Sequence, residues 1–445
     1  MNDPEKGRNV TTTIEIPPGF LWGTAVSAHQ VEGDNIHSDW WAYEQVPGHI
    51  QRNEQSGRAC DHWNRFAEDL DLCARMNTNA FRFSIEWSRI VPREGVVDEA
   101  AVDHYRRVLD ACDARGIEAF VTAHHFTVPR WFILRGGFAE RANLRAWERW
   151  CELLADRFGA RVRWWCTLNE PAIYAMMSYL FGCFSPGEKS PRVFARVMNI
   201  LLDAHAIAYR TLKSANPSAR VGLVKNMPYY TPYHPSNPFD RLSAWQHDRL
   251  YNEFWLGGLR DGRAARPLGD GRIVPGLAAS TDVWGLNSYN QSRCRWCWPI
   301  RTHNAGDGHR MTQTAWAPFP PGLRANLARL AKFGLPIYIT ENGIATDDDA
   351  RRRAYIIEHL RQVRLAIDDG ADVRGYFYWS LLDNFEWEDG WGPKFGLVAV
   401  DGETFVRMPK SSAELYSRIA KRNGIEAEWM SADPWDMCTM DRAGA

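Results

Sequence analysis

Two glutamates of this 445-residue chain, Glu170 and Glu341, each end a short apolar run of the kind that forms a buried strand. If both strands belong to one barrel, the two carboxylates face each other across its opening. Cleavage of a glycosidic bond requires such a pair. One carboxyl must be protonated to give a proton to the departing oxygen, while the other stays ionised to attack or stabilise the anomeric carbon. Their surroundings must therefore drive the two pKa values apart.

Two further side chains are expected to contact Glu341. Arg82 lies within the strand-like run FRF, and a cation buried there needs a partner, for which Glu341 is the candidate. Tyr289 follows another strand-like run and can donate a hydrogen bond to the same carboxylate. These residues predict an ionised nucleophile or stabilising group at Glu341.

Glu170 has two interpretations. In the catalytic one, its pKa is raised by the negative charge of Glu341 and by an apolar wall that Trp164 or Trp165 supplies. In the structural one, Glu170 only caps a helix, because the Glu170-Pro171 pair fits a first helical turn. The preceding asparagine and the second glutamate across the barrel favour catalysis.

The elements that must position these side chains alternate along the chain. Eight β-branched or aromatic runs read as strands, at 20–26, 80–86, 117–124, 162–169, 220–225, 282–287, 336–341 and 373–379. Amphipathic helical segments lie between them, at 99–115, 143–158, 192–214, 323–333 and 348–369, with Gly116, Gly159, Gly334 and Gly370 as C-terminal caps. This order predicts an α/β fold, a single (β/α)₈ TIM barrel. A doubly wound sheet is less consistent, since no Gly-rich phosphate turn follows the first strand.

In such a barrel the active site lies at the C-terminal ends of the strands. Polar or aromatic residues stand at six of the predicted ends and in the loops that follow them. They are His29, Gln30, His124, His125, Asn169, Glu170, Asn287, Tyr289, Glu341, Trp379, Glu386 and Trp387. We therefore expect them to converge on one mouth of the barrel.

Composition narrows the class of protein. The chain is 45% hydrophobic and 24% charged with a formal net charge of −1, which excludes intrinsic disorder and offers no basic field for nucleic acid. No apolar stretch is long enough to span a membrane, and the first residues lack the apolar core of a signal peptide, so we expect a cytoplasmic protein. The 21 tryptophans fit a protein that stacks flat ligands such as sugars, although core packing accounts for most of them.

Cysteine usage and domain organisation are unremarkable. Nine scattered cysteines are expected to be reduced, and the lone pair Cys294 and Cys297 lacks the second ligand pair of a zinc site. No linker or repeat divides the chain, which predicts one catalytic domain over 1–445, with an N-terminal arm at 1–16 and a C-terminal tail at 425–445. No metal, nucleotide or flavin motif occurs, so we expect no cofactor.

Five motifs together resemble a known family. They are FLWGTA at 20–25, QVEG at 30–33, TLNEP at 167–171, ITENG at 339–343 and WSLLDNFEW at 379–387. In this order they resemble the signatures of family 1 glycoside hydrolases, the β-glucosidase family, and the resemblance extends from about 17 to 424. The stretch 34–60 is less similar and lies near the predicted mouth.

The resemblance implies a retaining double displacement on terminal β-D-glucosides, with side activity on β-galactosides and β-fucosides. Glu341 carries over as the nucleophile that forms a glycosyl-enzyme, and Glu170 as the general acid and base. The pKa of Glu170 should fall once Glu341 is esterified, because the neighbouring charge is then gone. Transfer of the sugar to an alcohol or another sugar in place of water is a variant of the same mechanism, for which Trp316 and the loop residues Trp296 and Trp298 could hold an acceptor.

The resemblance also implies the sugar-binding residues. Those that match the family's hydrogen-bonding ring around the non-reducing sugar are Gln30, His125, Asn169, Glu386 and Trp387, with Trp379 beneath the sugar face and Trp316 on the leaving-group side. Asn287 and Tyr289 complete the expected site. His124, in contrast, is expected to be a core residue.

Other functions remain as alternatives. A related endo-glycanase shares the two glutamates, and a sugar-binding protein without turnover shares the tryptophans. A 6-phosphoglycosidase is disfavoured, because relatives of that kind carry serine where this chain has Glu386, and a carboxylate there repels phosphate. The sequence predicts small β-glycosides or short oligosaccharides as partners, no nucleic acid and no membrane, and leaves the oligomeric state open.

Overall fold

The computed structural model describes residues 13–296, 301–303 and 311–430, and its centre is a closed barrel of eight parallel strands. Each strand pairs with the next along the chain, and β8 pairs with β1. The strands are β1 Leu21–Ala25, β2 Ala80–Ser84, β3 Glu118–Thr122, β4 Trp164–Asn169, β5 Arg220–Asn226, β6 Val283–Asn287, β7 Ile337–Asn342 and β8 Val373–Trp379. The predicted (β/α)₈ fold is confirmed.

Helices surround the barrel in the same order. The main ones are α1 His62–Arg75, α2 Glu99–Asp113, α3 Leu144–Phe158, α4 Pro191–Ala215, α5 Phe254–Asp261, α6 Pro320–Ala331, α7 Asp349–Asp368 and α8 Ser411–Arg422. Local sequence fixes several starts: the carboxylates of Asp98 and Asp348 and the hydroxyl of Ser190 accept hydrogen bonds from first-turn amides of α2, α7 and α4.

Three of the four predicted glycine caps have the expected geometry. Gly116, Gly334 and Gly370 follow their helices with positive φ, as a left-handed C-terminal cap requires. Gly159 is different, because its backbone stays right-handed at φ −59° as the chain turns directly towards β4. Gly159 still ends its helix as predicted, without a left-handed turn.

Aromatic rings close the bottom of the barrel. Phe120, Trp164, Tyr338 and Phe377 lie near the starts or middles of their strands and stack at ring distances of 4.7 to 5.3 Å. The barrel is therefore packed at one end, and buried polar residues lie at the C-terminal ends of the strands, where the loops form the mouth.

Short elements build the loops around that mouth. The short helices are Ala28–Val31, Asp39–Glu44, Trp87–Ile90, Arg130–Leu134, Pro171–Met176 and Pro238–Asp248, and the last continues through a π-helical turn at Arg249–Glu253 into α5. A small sheet joins Tyr229–Pro232, Gln291–Arg295 and Arg301–His303, and a hairpin joins Val398–Val400 to Arg407–Pro409. 3₁₀ turns lie at Gln51–Asn53, Gly137–Ala139, Arg141–Asn143, Trp387–Asp389 and Ala427–Met430, and a π-helical turn at Met177–Phe181.

The two ends of the described chain meet beneath the barrel. Ile14–Glu15 pairs with Gly424–Ile425 as an antiparallel ladder, and the Trp429 ring lies under the Arg418 guanidinium at 4.6 Å. The predictions for Cys297, Trp298 and most of the proposed arm and tail fall outside the described residues. Within those residues, no helix combines the length and apolar character that crossing a membrane demands.

Candidate active site

Glu341 lies at the C-terminal end of β7 with both carboxylate oxygens engaged. Arg82 of β2 donates to Oε1, and the Tyr289 hydroxyl donates to Oε2 at 2.7 Å. Arg82 is fully buried, so its charge is expensive to hold without this partner. Both contacts expected from the sequence are present, and together they fix the orientation of the Glu341 carboxylate.

Glu170 follows β4 and is surrounded by neutral donors. Asn287 Nδ2 donates to Glu170 Oε1 at 2.7 Å, and Asn226 Nδ2 donates to the same oxygen at 3.3 Å. The helix Pro171–Met176 does begin here with proline in its first turn, but the Glu170 side chain makes no capping hydrogen bond. Its carboxyl is thus directed to the site and not to the helix.

Burial raises the pKa of Glu170 to about 8, and the negative charge of Glu341 adds to this effect. The hydrogen bond from Asn287, the charge of Lys225 and the hydrogen bond from Asn226 oppose it. The raised pKa favours the protonated form of Glu170, while Arg82 and Tyr289 bind the Glu341 carboxylate, which is the contrast that an acid and a nucleophile need.

The tryptophan wall expected beside Glu170 is absent. Trp164 packs against Phe120 and Tyr338 at the opposite end of the barrel, and Trp165 belongs to the core between barrel and helices. A strand advances about 3.3 Å per residue, so a side chain six positions before Glu170 lies far from it. That part of the prediction is wrong, and burial in the loops at the mouth takes the place of the wall.

Asn169 connects the two carboxylates. Its Oδ1 accepts from Arg82 Nη2 at 2.7 Å and from Asn287 Nδ2 at 3.2 Å, and its Nδ2 lies 3.1 Å from His125 Nε2. Arg82 lies within β2, Asn287 ends β6 and His125 follows β3, so three strands contribute to this position. The asparagine is therefore held in one orientation beside the space between Glu170 and Glu341.

Gln30 and Glu386 meet although 356 positions separate them in sequence. Gln30 Nε2 donates to Glu386 Oε2 at 3.0 Å and to Asn384 Oδ1 at 2.9 Å, while Ser27 donates to Gln30 Oε1 at 2.6 Å. Burial, followed by the charges of Asp389, Glu388 and Glu341, raises the pKa of Glu386 well above its usual range. The pair offers both donors and acceptors to the hydroxyl groups of a sugar.

Aromatic rings line the same cavity. The His125 ring lies nearly parallel to Trp379 at 5.9 Å and to Trp387 at 6.2 Å. Trp40, from the stretch that resembles the family least, packs behind Trp387 at 4.7 Å. Trp316 is partly exposed and contacts Tyr289 at 5.1 Å, beside the nucleophile candidate. The structure thus brings these predicted residues to one mouth of the barrel, whereas Trp296 packs against Phe239 and Trp298 lies outside the described residues.

The two histidines after β3 differ as expected. His124 packs edge-on against Phe138 and Tyr174, and neither of its ring nitrogens has a hydrogen-bond partner among the described residues. Burial lowers the pKa of His124 to about 3, so it is a neutral core residue. His125 instead faces Asn169 and the tryptophans.

Sequence reasoning missed four residues of this site. Asn226 contacts Glu170, Asn384 holds Gln30, Thr340 donates to Asn287 at 2.7 Å, and Lys225 lies close enough to influence the pKa of Glu170. Lys225 and Asn226 end β5, so the rule that directed attention to the other strand ends could have found them. In the described part of the chain, no three His, Cys, Asp or Glu side chains group as metal ligands would.

Comparisons with known proteins agree with this geometry. The family model described as glycosyl hydrolase family 1 matches residues 12–425. Beta-glucosidase A of Thermotoga maritima is 32% identical over 441 residues, covering 93% of this chain and 99% of that protein.

Two solved structures are similar in the same way. The beta-glycosidase from Pyrococcus horikoshii superposes with a TM-score of 0.89 at 42% identity, covering 94% of this chain and 97% of that one. The beta-glucosidase from Thermotoga maritima in complex with glucoimidazole also gives 0.89, at 31% identity, with 93% and 100% covered. The chain is a glycoside hydrolase, and it belongs to glycosyl hydrolase family 1.

Proposed function

We propose that the chain is a retaining, exo-acting β-glycosidase that hydrolyses terminal non-reducing β-D-glucosides through a covalent glycosyl-enzyme. The observation that carries this proposal is the contrast between the two carboxyl groups. Glu341 is bound by a buried arginine and a tyrosine hydroxyl, whereas Glu170 is buried among neutral amides with a raised pKa. This contrast assigns Glu341 as nucleophile and Glu170 as acid and base.

In the first step, Glu341 attacks the anomeric carbon while Glu170 protonates the departing glycosidic oxygen. Two amide N–H groups already point at Glu170 Oε1, so that oxygen is the acceptor and the proton resides on Oε2. The leaving alcohol departs with this proton, and the sugar is left as an ester of Glu341. Asn169, fixed by Arg82, lies where a sugar 2-hydroxyl would contact it.

In the second step, Glu170 takes a proton from water as the water attacks the glycosyl-enzyme. Esterification removes the charge of Glu341, which was one cause of the raised pKa of Glu170, so the carboxylate form becomes more favourable. An acceptor alcohol can replace water in the same position, which gives transglycosylation. The sugar is released with the anomeric configuration of the substrate.

The exo mode is supported by the closed end of the site. Gln30, Glu386 and Trp387 meet there, and Trp40 and Phe184 back the tryptophan at 4.7 and 5.9 Å. A wall of this kind admits the terminal sugar of a chain but leaves no room for a further sugar beyond it. The glucoimidazole complex of the Thermotoga relative supports glucose as the sugar bound here. We expect β-galactosides and β-fucosides as side substrates, because amide and carboxylate groups can bond a 4-hydroxyl of either orientation.

The proposed substrates are small β-glycosides or short oligosaccharides, with neither nucleic acid nor membrane as partner. Seven described cysteines are free and mostly buried, which supports a reducing compartment such as the cytoplasm.

The pH dependence of kcat/KM follows from the state of Glu170 in the free enzyme. The first step needs the protonated form, and that form is lost as the pH rises through about 8. We therefore expect kcat/KM for an alkyl β-glucoside, whose leaving group needs the proton, to fall on the alkaline side with a midpoint near pH 8. A steady-state profile from pH 5 to 10 measures this, and a flat alkaline side would contradict the assignment of Glu170.

A reducing-end-labelled cello-oligosaccharide tests the proposed exo mode. The expected products are free glucose and a ladder of labelled chains that shorten by one sugar at a time. Early release of cellobiose or longer internal fragments would instead identify an endo-glycanase. Binding of the oligosaccharide with no products, and no turnover of the β-glucoside, β-galactoside or β-fucoside, would indicate a sugar-binding protein.

A further inference from the structure

Lys225 is a fully buried lysine at the C-terminal end of β5, and the mechanism above does not use it. Its Nζ donates to the Asn226 carbonyl and, at 3.3 Å, to Asn252 Oδ1, and it lies 3.9 Å from the centre of the Tyr251 ring. Ion pairs of lysine in the described ranges are those of Lys213 and Lys410, so Lys225 has no carboxylate within ion-pair distance there.

A buried ammonium without a paired carboxylate is costly, and the charges around it do not remove that cost. Asp248 is the acid nearest along the flanking helix, but Arg329 from α6 already binds it at 2.7 Å and binds Glu253 as well. The other acid that acts on Lys225 is Glu170, which bears a negative charge only after it has lost its proton. Packing alone therefore does not explain a lysine at position 225.

A chain of contacts leads from Lys225 to Glu170. The Tyr251 hydroxyl donates to Asn226 Oδ1 at 3.0 Å, which turns the Asn226 amide so that its Nδ2 donates to Glu170 Oε1. Lys225 holds the same asparagine from the other side through its carbonyl, and its ammonium over the Tyr251 ring makes the phenol a stronger donor. Asn226 is thus held by Tyr251 and Lys225, and its Nδ2 donates to the candidate acid.

We propose that Lys225 is a positioning residue for Glu170, which together with Tyr251 holds Asn226 against Glu170 Oε1 and favours the carboxylate of Glu170 whenever that group has lost its proton. This inference rests on the proposed function, in which Glu170 changes its protonation state twice in each cycle.

The consequence differs from that of a structural lysine. Burial lowers the pKa of Lys225 well below its usual range, and the negative charge of Glu170 opposes this, so the ammonium form gains favour as Glu170 ionises. The positive charge of Lys225 therefore makes Glu170 a better proton donor to the leaving group. In the glycosyl-enzyme, the same charge favours the ionised form of Glu170. The groups that face this pair are Glu341 on the Glu170 side and Asp248, Arg329 and Tyr251 on the Lys225 side.

The test is the pH dependence of Lys225→Met, which removes the charge and keeps the length of the side chain. We expect the alkaline limb of kcat/KM for an alkyl β-glucoside to move up by about half to one pH unit, since the ionised form of Glu170 loses its support. The acid limb of kcat for dinitrophenyl β-glucoside, where deglycosylation needs ionised Glu170, should move up as well. Lys213→Met is the matched control, because Lys213 forms an ion pair with Asp282 at the other end of the barrel. Both limbs of the pH profiles of this variant should stay at the wild-type pH values.

Each outcome decides the proposal. If the folded Lys225→Met enzyme shows both limbs of the pH profiles at the wild-type pH values, the proposal is overturned, even if the maximal rate is lower. If that variant does not fold, Tyr251→Phe is the test, because it keeps the lysine and the ring but removes the bond to Asn226. A smaller upward shift of both limbs is then expected, and no shift overturns the inference. Failure of the wild type to hydrolyse either glucoside would instead refute the proposed function, and this inference with it.

Discussion

Replacing Glu341 by alanine is expected to lower kcat/KM for p-nitrophenyl β-glucoside by roughly 10⁵-fold or more, as loss of a nucleophile does in other enzymes with covalent intermediates. Arg82 and Tyr289 can bind and orient the Glu341 carboxylate, but neither can replace it at the anomeric carbon. Added azide should restore turnover, because a small anion fits the space that the side chain leaves.

Two controls separate loss of the nucleophile from loss of the fold. Arg82 becomes a buried cation without its carboxylate in the alanine variant, so a melting temperature below that of the wild type is expected. Glu341→Gln keeps a hydrogen-bonding group beside Arg82 and should be equally inactive but closer to the wild type in stability. Activity within tenfold of the wild type in a folded variant would refute the role of Glu341.

Replacing Glu170 by alanine should give losses that depend on the leaving group. For alkyl β-glucosides, whose leaving group needs the acid, kcat/KM should fall by about 10³-fold to 10⁴-fold. For dinitrophenyl β-glucoside, kcat/KM should change little, because the dinitrophenolate departs without protonation. The value of kcat for the activated substrate should still fall, since deglycosylation lacks its base. Rates over a series of leaving groups of graded pKa measure this.

The control for Glu170 is a glutamate outside the site. Glu403 is exposed in the turn between the hairpin strands at Val398–Val400 and Arg407–Pro409, and Glu403→Ala should leave the whole series unchanged. An equal loss for every leaving group in Glu170→Ala would mean that the carboxyl supports the structure of the site and does not donate the proton.

The barrel could be predicted from the sequence because each of its strands is buried on both faces. Such strands are short, continuous and rich in β-branched or aromatic residues, and Pro or Gly residues near their ends limit them. All eight predicted strands agree with the structure within three residues at either end. All four predicted glycines end their helices, although Gly159 does so without the left-handed backbone of the other three.

The site was predictable in part, and for a physical reason. Parallel strands deliver their ends to one face, so the strand-end residues Glu170, Asn287 and Glu341 had to meet. What surrounds each carboxyl depends on loops that fold back over the mouth. The prediction for Trp164 was wrong because Trp164 starts the strand that Glu170 follows, so the length of the strand separates the two side chains.

Contacts between loops that are far apart in sequence cannot be predicted from the spacing of residues. Gln30 and Glu386 follow different strands, and nothing in their separation indicates that an amide and a carboxylate will bond at 3.0 Å. The family resemblance supplied that pair, while Asn226 and Lys225 escaped both lines of reasoning. A search of all eight strand ends for polar residues would have included them.

The anomeric configuration of the azide products tests the central assignment most directly. Dinitrophenyl β-glucoside is incubated with azide and either Glu341→Ala or Glu170→Ala, and the coupling constant of the anomeric proton identifies each product. The account predicts α-glucosyl azide from Glu341→Ala, where azide enters the vacated nucleophile face, and β-glucosyl azide from Glu170→Ala, where azide attacks the glycosyl-enzyme. The reverse assignment, or the same anomer from both variants, would contradict it.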